Sequence, residues 1–177
     1  IISLSSASVE SFIAAITSGE RNIAIGYSAM NDSTDADDNV IIGYNAGLDS
    51  NSSGFLRNVG IGNYVFDGHG SGIDAENNTA VGHLAMSGAM TDPCHNNTAV
   101  GHLALTAVTA GANNTAIGHD SLPEIEGGGA NTAVGAVTGS SISSGDQNTM
   151  LGYGAMSASG NDGADNNVAI GYAAGDT

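Results

Sequence analysis

The 177-residue sequence predicts an all-β protein: a parallel β-solenoid, or β-roll, of about nine coils with a short N-terminal helix, assembled as a homotrimer. Three observations carry that expectation. A five-residue unit of Asn, a β-branched residue, a generally small residue, an aliphatic and Gly occurs nine times. Its closing glycines stand 17, 19, 20, 19, 17, 17, 17 and 19 residues apart. The 27 glycines are about twice the usual share, while charged residues make up 11% of the chain against roughly 25% in an average domain. Self-similarity at this period marks stacked coils, each pairing with its neighbours about 4.8 Å away.

The first element lies in residues 1–21, ahead of the repeats. Val9, Phe12, Ile13 and Ile16 fall at helical spacing, Ser8 is placed to cap the start, and Ser18-Gly19 follow the end. This pattern predicts an amphipathic helix that covers the first coil. The chain begins at Ile1 without a Met, as expected of a processed product or a piece of a longer chain.

Residues 22–177 form the repeat domain. The units run NIAIG (Asn22 to Gly26), NVIIG (Asn39 to Gly43), NVGIG (Asn58 to Gly62), NTAVG (Asn78 to Gly82) and NTAVG (Asn97 to Gly101). They continue as NTAIG (Asn114 to Gly118), NTAVG (Asn131 to Gly135), NTMLG (Asn148 to Gly152) and NVAIG (Asn167 to Gly171). After the Gly comes a second recurring element, as in YSAM (Tyr27 to Met30), HLAM (His83 to Met86) and HLAL (His102 to Leu105). Each unit therefore reads as a strand, a Gly-marked bend, a second short strand and a variable Gly/Asp/Ser/Asn-rich loop. Length variation falls in that loop, so insertions project from one edge. Nine rungs make a rod roughly 40 Å long. A three-sided hexapeptide helix is excluded, because stepping six residues from Ile25, Ile61, Val81 and Val100 lands on Asn31, Asp67, Ser87 and Thr106 rather than on aliphatics. The calcium-binding nonapeptide and a regular T-x-T ladder are also absent. The last repeat stops at Thr177 without a polar cap, so this end is expected to continue or to meet further fibre segments or subunits end to end.

Alternation along the first strand points to association. Ile25, Ile42, Ile61, Val81, Val100, Ile117, Val134, Leu151 and Ile170 share one face with the β-branched residues two positions earlier. The opposite face carries Ala24, Ile41, Gly60, Ala80, Ala99, Ala116, Ala133, Met150 and Ala169. A strand apolar on both faces is covered on both. The expectation is that the β-branched residues fill the roll, and that the small residues let three rolls approach closely around an axis. The recurrent Asn22, Asn39, Asn58, Asn78, Asn97, Asn114, Asn131, Asn148 and Asn167 read as a structural ladder of stacked amides. The recurrent Gly marks a bend of unusual φ or a close backbone approach.

NTAVGHLAL, NVAIGYAAG and NIAIGYSAM resemble the head repeats of trimeric autotransporter adhesins, of the NSVAIG type. They are still more similar to the TAVGYNAL-type repeats of phage tail-fibre and tailspike proteins. The resemblance covers about residues 22–177. It implies a trimeric parallel β-roll in a structural fibre of a virion or cell surface, extracellular, stiff, and contributing to host attachment. This chain departs from the adhesin heads in its longer units, and it shows no membrane anchor or chaperone domain. Two further functions stay open beside the spacer. One is an adhesin module whose loops recognise a host glycan or protein receptor, and the other is a glycan-cleaving tailspike fragment.

Composition narrows the partners. Arg21 and Arg57 are the only Lys or Arg residues against 18 acids, a net charge of −16, so the clustered cations that nucleic acid or an anionic membrane demands are missing. No apolar run approaches the roughly 20 residues of a membrane span. No catalytic constellation stands out, and the chain reads as a non-enzyme. Acids gather in the loops. Asp32, Asp35, Asp37, Asp38, Asp67 and Asp74 are candidate ligand-binding residues. Asp35, Asp37 and Asp38 are a candidate Ca²⁺ set of hard oxygens, although the loop lacks the Gly and terminal Glu of an EF-hand. The competing reading is a solvated acidic edge that keeps fibres apart. Beyond that Ca²⁺, the sequence points to no cofactor. His83, His102 and His119 follow the motif Gly in successive coils and should stack as a ladder, either as neutral rings shielding the bend or, in a trimer, as a convergent metal site.

Overall fold

A computed structural model describes residues 19–31, 33–48, 54–68, 74–91 and 94–176. The helix expected over residues 8–17 lies outside them. Among the described residues the strands are β1 (Ile23–Ile25), β2 (Val40–Ile42), β3 (Phe55–Leu56), β4 (Val59–Ile61), β5 (Ala75–Glu76) and β6 (Thr79–Val81), then β7 (Cys94–His95), β8 (Thr98–Val100), β9 (Thr115–Ile117), β10 (Thr132–Val134), β11 (Thr149–Leu151) and β12 (Val168–Ile170). The helical element among the described residues is one 3-10 turn, Ser159–Asn161. The architecture is an all-β parallel β-solenoid. A nine-stranded sheet runs β1-β2-β4-β6-β8-β9-β10-β11-β12, and a three-stranded sheet runs β3-β5-β7. Motifs pair in register: Ala80 with Ala99, Ala99 with Ala116 and Ala116 with Ala133.

Each long-sheet strand is short because the backbone is broken on both sides. The residue before every motif Asn is left-handed, with φ between 57° at Ala130 and 62° at Asn113. For most L-residues this costs about 1–2 kcal/mol, but Asn and Asp tolerate it. Asp38, Asn77, Asn96, Asn113 and Asn166 occupy five of the nine positions, which explains the doubled Asn-Asn in four repeats. At the other end the motif Gly is also at positive φ.

Two sequence expectations are corrected. The segment after the Gly is a turn, not a second strand, because its second and fourth residues are left-handed; Leu84 and Met86 have φ of 58° and 49°. It still bonds from coil to coil. The Leu103 N–H donates to the His83 carbonyl at 3.1 Å, and the Met86 N–H to the Ala104 carbonyl at 3.0 Å. The second sheet instead precedes the motif Asn.

The facing of the long sheet is also the reverse of the expectation. Ile41, Gly60, Ala80, Ala99, Ala116, Ala133, Met150 and Ala169 are buried inside the roll. The β-branched and aliphatic positions on either side of them face outward. The reason is the width of a two-walled coil. The opposite wall sends in Met30, Phe66, Met86, Leu105, Leu122 and Met156, all buried, and leaves room for little more than a methyl from the strand. Volumes complement each other across the roll. Phe66 sits opposite Gly60, where an added Cβ would lie 3.0 Å from the Phe66 ring and 2.9 Å from Ile41 Cδ1. Met150, large for its position, meets the preceding coil at Gly139, where a Cβ would lie 3.0 Å from its sulfur.

Phe66 is fully buried and packs edge-on to Phe55, with ring centroids 5.6 Å apart. Truncation to Phe66→Ala leaves a void that Gly60 has no side chain to fill, and the expected loss is about 3–5 kcal/mol. Urea unfolding checks this, and a loss below about 1 kcal/mol contradicts the inward placement.

Candidate functional site

Three features run the length of the roll: an internal Asn ladder, an exposed apolar face with an aromatic and imidazole column beside it, and a loop edge bearing acids.

The Asn ladder is asymmetric. Each side-chain oxygen accepts the backbone N–H of the next motif Asn: Asn97 N–H to Asn78 Oδ1 at 2.9 Å, Asn114 N–H to Asn97 Oδ1 at 2.9 Å, and Asn131 N–H to Asn114 Oδ1 at 3.0 Å. The same amide donates to the carbonyl of the residue three positions before the next motif Asn. Asn58 Nδ2 reaches the Ala75 carbonyl at 2.8 Å, Asn78 Nδ2 the Cys94 carbonyl at 2.9 Å, and Asn97 Nδ2 the Gly111 carbonyl at 2.8 Å. Asn22 and Asn39 start the ladder, joined by an Asn39 N–H bond to Asn22 Oδ1 at 3.0 Å. Asn148 and Asn167 end it, with Asn167 N–H on Asn148 Oδ1 at 3.0 Å. These bonds hold coils together, and the interior ones are sealed from water.

The outer face of the long sheet carries two columns. One comprises Ile23, Val40, Val59, Thr79, Thr98, Thr115, Thr132, Thr149 and Val168, the other the aliphatics from Ile25 to Ile170. Ile25 is 44% exposed, Leu151 47% and Ile170 65%. Neither column contains a charged residue. The sequence reading assigned these positions to the core; the signal that separates the two faces is residue size.

Beside this face, just past the Gly bend, runs a column of rings. Tyr27 stacks on Tyr44 at 5.3 Å and 13°. Asn63 interrupts the register, and its Oδ1 accepts the Tyr44 N–H at 3.0 Å. Tyr64, one residue on, fills the gap edge-on to both Tyr44 and His83. His83 and His102 then stack at 5.3 Å and 16°, and His102 and His119 at 5.1 Å and 26°. Tyr153 and Tyr172 stack at 5.7 Å. The Tyr64 phenol is pushed above its ordinary value, first by desolvation and then by Tyr44 beside it.

The acids have a role that the sequence reading missed. Several accept backbone N–H groups of the preceding coil where the second sheet is interrupted. Asp37 takes the Glu20 N–H at 2.6 Å, Asp146 the Gly129 N–H at 2.6 Å, and Asp165 the Asp146 N–H at 2.8 Å. These three share a D-x-N spacing to the motif Asn, which is the signal in the sequence. Asp176 accepts from the Ser157 and Ala158 N–H groups at 2.6 and 2.8 Å, and Asp162 accepts the Ser143 hydroxyl at 2.7 Å. Asp38 pairs with Arg21 at 2.5 Å, and Arg57 pairs with Glu76.

Of the candidate ligand residues, Asp32 lies outside the described residues. Asp35 and Asp74 are exposed, and Asp67 is half-buried. Asp37 and Asp38 point to different partners, as above. Among the described residues, no group of three His, Cys, Asp or Glu side chains is placed to hold a metal ion. Within one chain His83, His102 and His119 stand as a stack of rings.

Acid sensitivity follows from these staples. The Arg21 guanidinium holds the Asp38 carboxyl below its usual value, Ser143 does the same for Asp162, and Ser157 for Asp176. A depressed carboxylate contributes stability that is present above its unfolded value and is lost as pH falls through the folded one. Melting is therefore expected to fall below about pH 4. In Asp162→Asn the decline should be shallower, and an equally steep decline would sink the assignment.

Comparison with protein-family models, with curated proteins and with solved structures returned no match. Among the described residues, no helix is long and apolar enough to cross a membrane. The molecule is a parallel β-solenoid with one long uncharged face.

Proposed function

We propose that this chain is a segment of a structural fibre on a virion or cell surface: a stiff trimeric β-solenoid of nine coils that contributes to host attachment. Its seam is the outer face of the long sheet rather than the alanine column.

The observation that carries this reading is the outer face itself. At about 4.8 Å per rung, nine rungs give a strip about 40 Å long and on the order of 400 Å² in area. That matches the largest patch of a typical monomer, about 300–600 Å², a kind of patch that is often functional. A chain with a net charge of −16 associates with itself only where it is locally neutral. The two outward columns are the neutral part, and the staple acids sit on the loop edge. The repeats' resemblance to trimeric adhesin heads and phage fibres supports three chains rather than two. Loops of unequal length on one edge supply surface for attachment, while the in-register sheets and Asn ladder give the shaft its stiffness.

Native mass measurement at neutral pH tests the proposal. The wild type is expected at three times the 17.4 kDa of one chain. Ile117→Asp, which introduces charge at mid-face without touching the interior, is expected to be monomeric and folded. A wild type that stays monomeric at every concentration overturns the proposal.

A further inference from the structure

Resting on that seam, we propose that His83, His102 and His119 make the assembly acid-labile, so that the fibre segment holds together near neutral pH and loosens in a mildly acidic environment.

The three rings form one stack, with centroids 5.3 and 5.1 Å apart and planes within 26° of parallel. Imidazole is the side chain whose ordinary titration falls between about pH 8 and 5. A stack of neutral rings is attractive, whereas a stack of imidazoliums places like charges about 5 Å apart, and the repulsion grows as water is excluded. The stack flanks the middle of the outer face, since His83, His102 and His119 follow Val81, Val100 and Ile117 across one glycine each. Closing the seam therefore brings the equivalent columns of neighbouring chains toward one dry region, where added positive charge opposes association.

The groups that face the stack do not neutralise it. His83 meets Tyr64, whose surroundings include Tyr44 and Asp67. His119 has Asp120, with Nδ1 to Oδ2 at 3.3 Å, and the following coil presents Ala136 at the equivalent position. His102, in the centre, has an imidazole on each side. One carboxylate in contact with one end leaves most of the added charge uncompensated. The sequence also supplies a neutral replacement, because Tyr27, Tyr44, Tyr153 and Tyr172 occupy the same position in other coils.

Sedimentation of the full chain at pH 8 and 5.5, with EDTA present, tests this. At pH 5.5 carboxylates with ordinary values of about 3.9–4.3 remain ionised, so the readout isolates histidine. Assembly of the wild type is expected to weaken by about tenfold or more at pH 5.5. The triple variant His83→Tyr, His102→Tyr, His119→Tyr should weaken by less than about twofold. The single His102→Tyr, which breaks the stack at its centre, should recover more than half of the loss. Trimers that persist unchanged at pH 5.5, a triple variant that weakens as much as the wild type, or no recovery in His102→Tyr would each overturn the switch. A wild type already monomeric at pH 8 is a different failure, that of the seam itself.

Discussion

Gly101→Ala is expected to be among the most damaging single substitutions in the chain, costing about 4 kcal/mol or more. Two effects combine there. Gly101 has φ of 142°, a conformation that costs a residue with a Cβ about 1–3 kcal/mol. An added Cβ would also lie 2.2 Å from the Gly118 carbonyl oxygen of the next coil. Relieving that overlap means prising apart coils whose spacing of about 4.8 Å is set by hydrogen bonds on every side. The same contact recurs from Gly26 to Gly152, with the next coil's glycine oxygen 2.1–2.3 Å from the hypothetical Cβ. Gly171 separates the two effects. Its φ is 129°, yet the nearest atom to its hypothetical Cβ is Ala174 Cβ at 3.9 Å. Gly171→Ala should therefore cost only the backbone part, about 1–3 kcal/mol. Urea unfolding of the two variants measures the difference, and equal losses would show that the coil-to-coil approach is not what demands glycine.

Asn97→Ala is expected to cost about 2–5 kcal/mol. Removing the amide strips the acceptor from the buried Asn114 N–H and the donor from the Gly111 carbonyl, while Asn97's own N–H keeps its bond to Asn78. An orphaned buried polar group costs about 1–3 kcal/mol, and two are created at once. Asn97→Asp should be no milder, since it keeps the acceptor, loses the donor and buries a charge with no cation beside it. Asn22→Ala, at a half-buried rung, is the milder comparison. Hydrogen exchange adds a local readout. The amides of Asn114 and Thr115 should lose protection first in Asn97→Ala, and protection lost evenly along the roll would contradict a rung-by-rung ladder.

The period, the parallel pairing and the in-register stacking were legible from the spacing of nine glycines and nine asparagines, because a repeat that closes on itself leaves few alternatives. Inside and outside were not. In Thr98-Ala99-Val100 all three side chains tolerate burial, and alternation alone does not say which face is the core. Residues four beyond the Gly decide it. Met86 and Leu105 enter from the opposite wall and leave only an alanine's room across from them. The second strand was misread because left-handed residues such as Leu103 and Leu105 have no signature when they are leucines. The doubled asparagines did carry a signature, the first of each pair holding the left-handed turn and the second the ladder. The acids' role was hidden because an N–H acceptor and a solvated carboxylate look alike in sequence. Only the D-x-N spacing of Asp37, Asp146 and Asp165 sets the staples apart. The outer face looked like core because strips of exposed valine and isoleucine are normally covered, and on the proposed function these are covered by other copies of the chain.

Thiol reactivity on the folded, assembled protein reaches that last point most directly. Cys94 is sealed inside the roll and serves as the slow internal reference. Thr115→Cys places a thiol on the outer face, and Glu124→Cys places one on an exposed turn of the neighbouring loop. If the face is a seam between copies, Thr115→Cys should label about tenfold or more slowly than Glu124→Cys, and dissociation by Ile117→Asp should abolish the difference. Equal labelling rates in the assembled protein would mean that the face is open to water, and would contradict the seam.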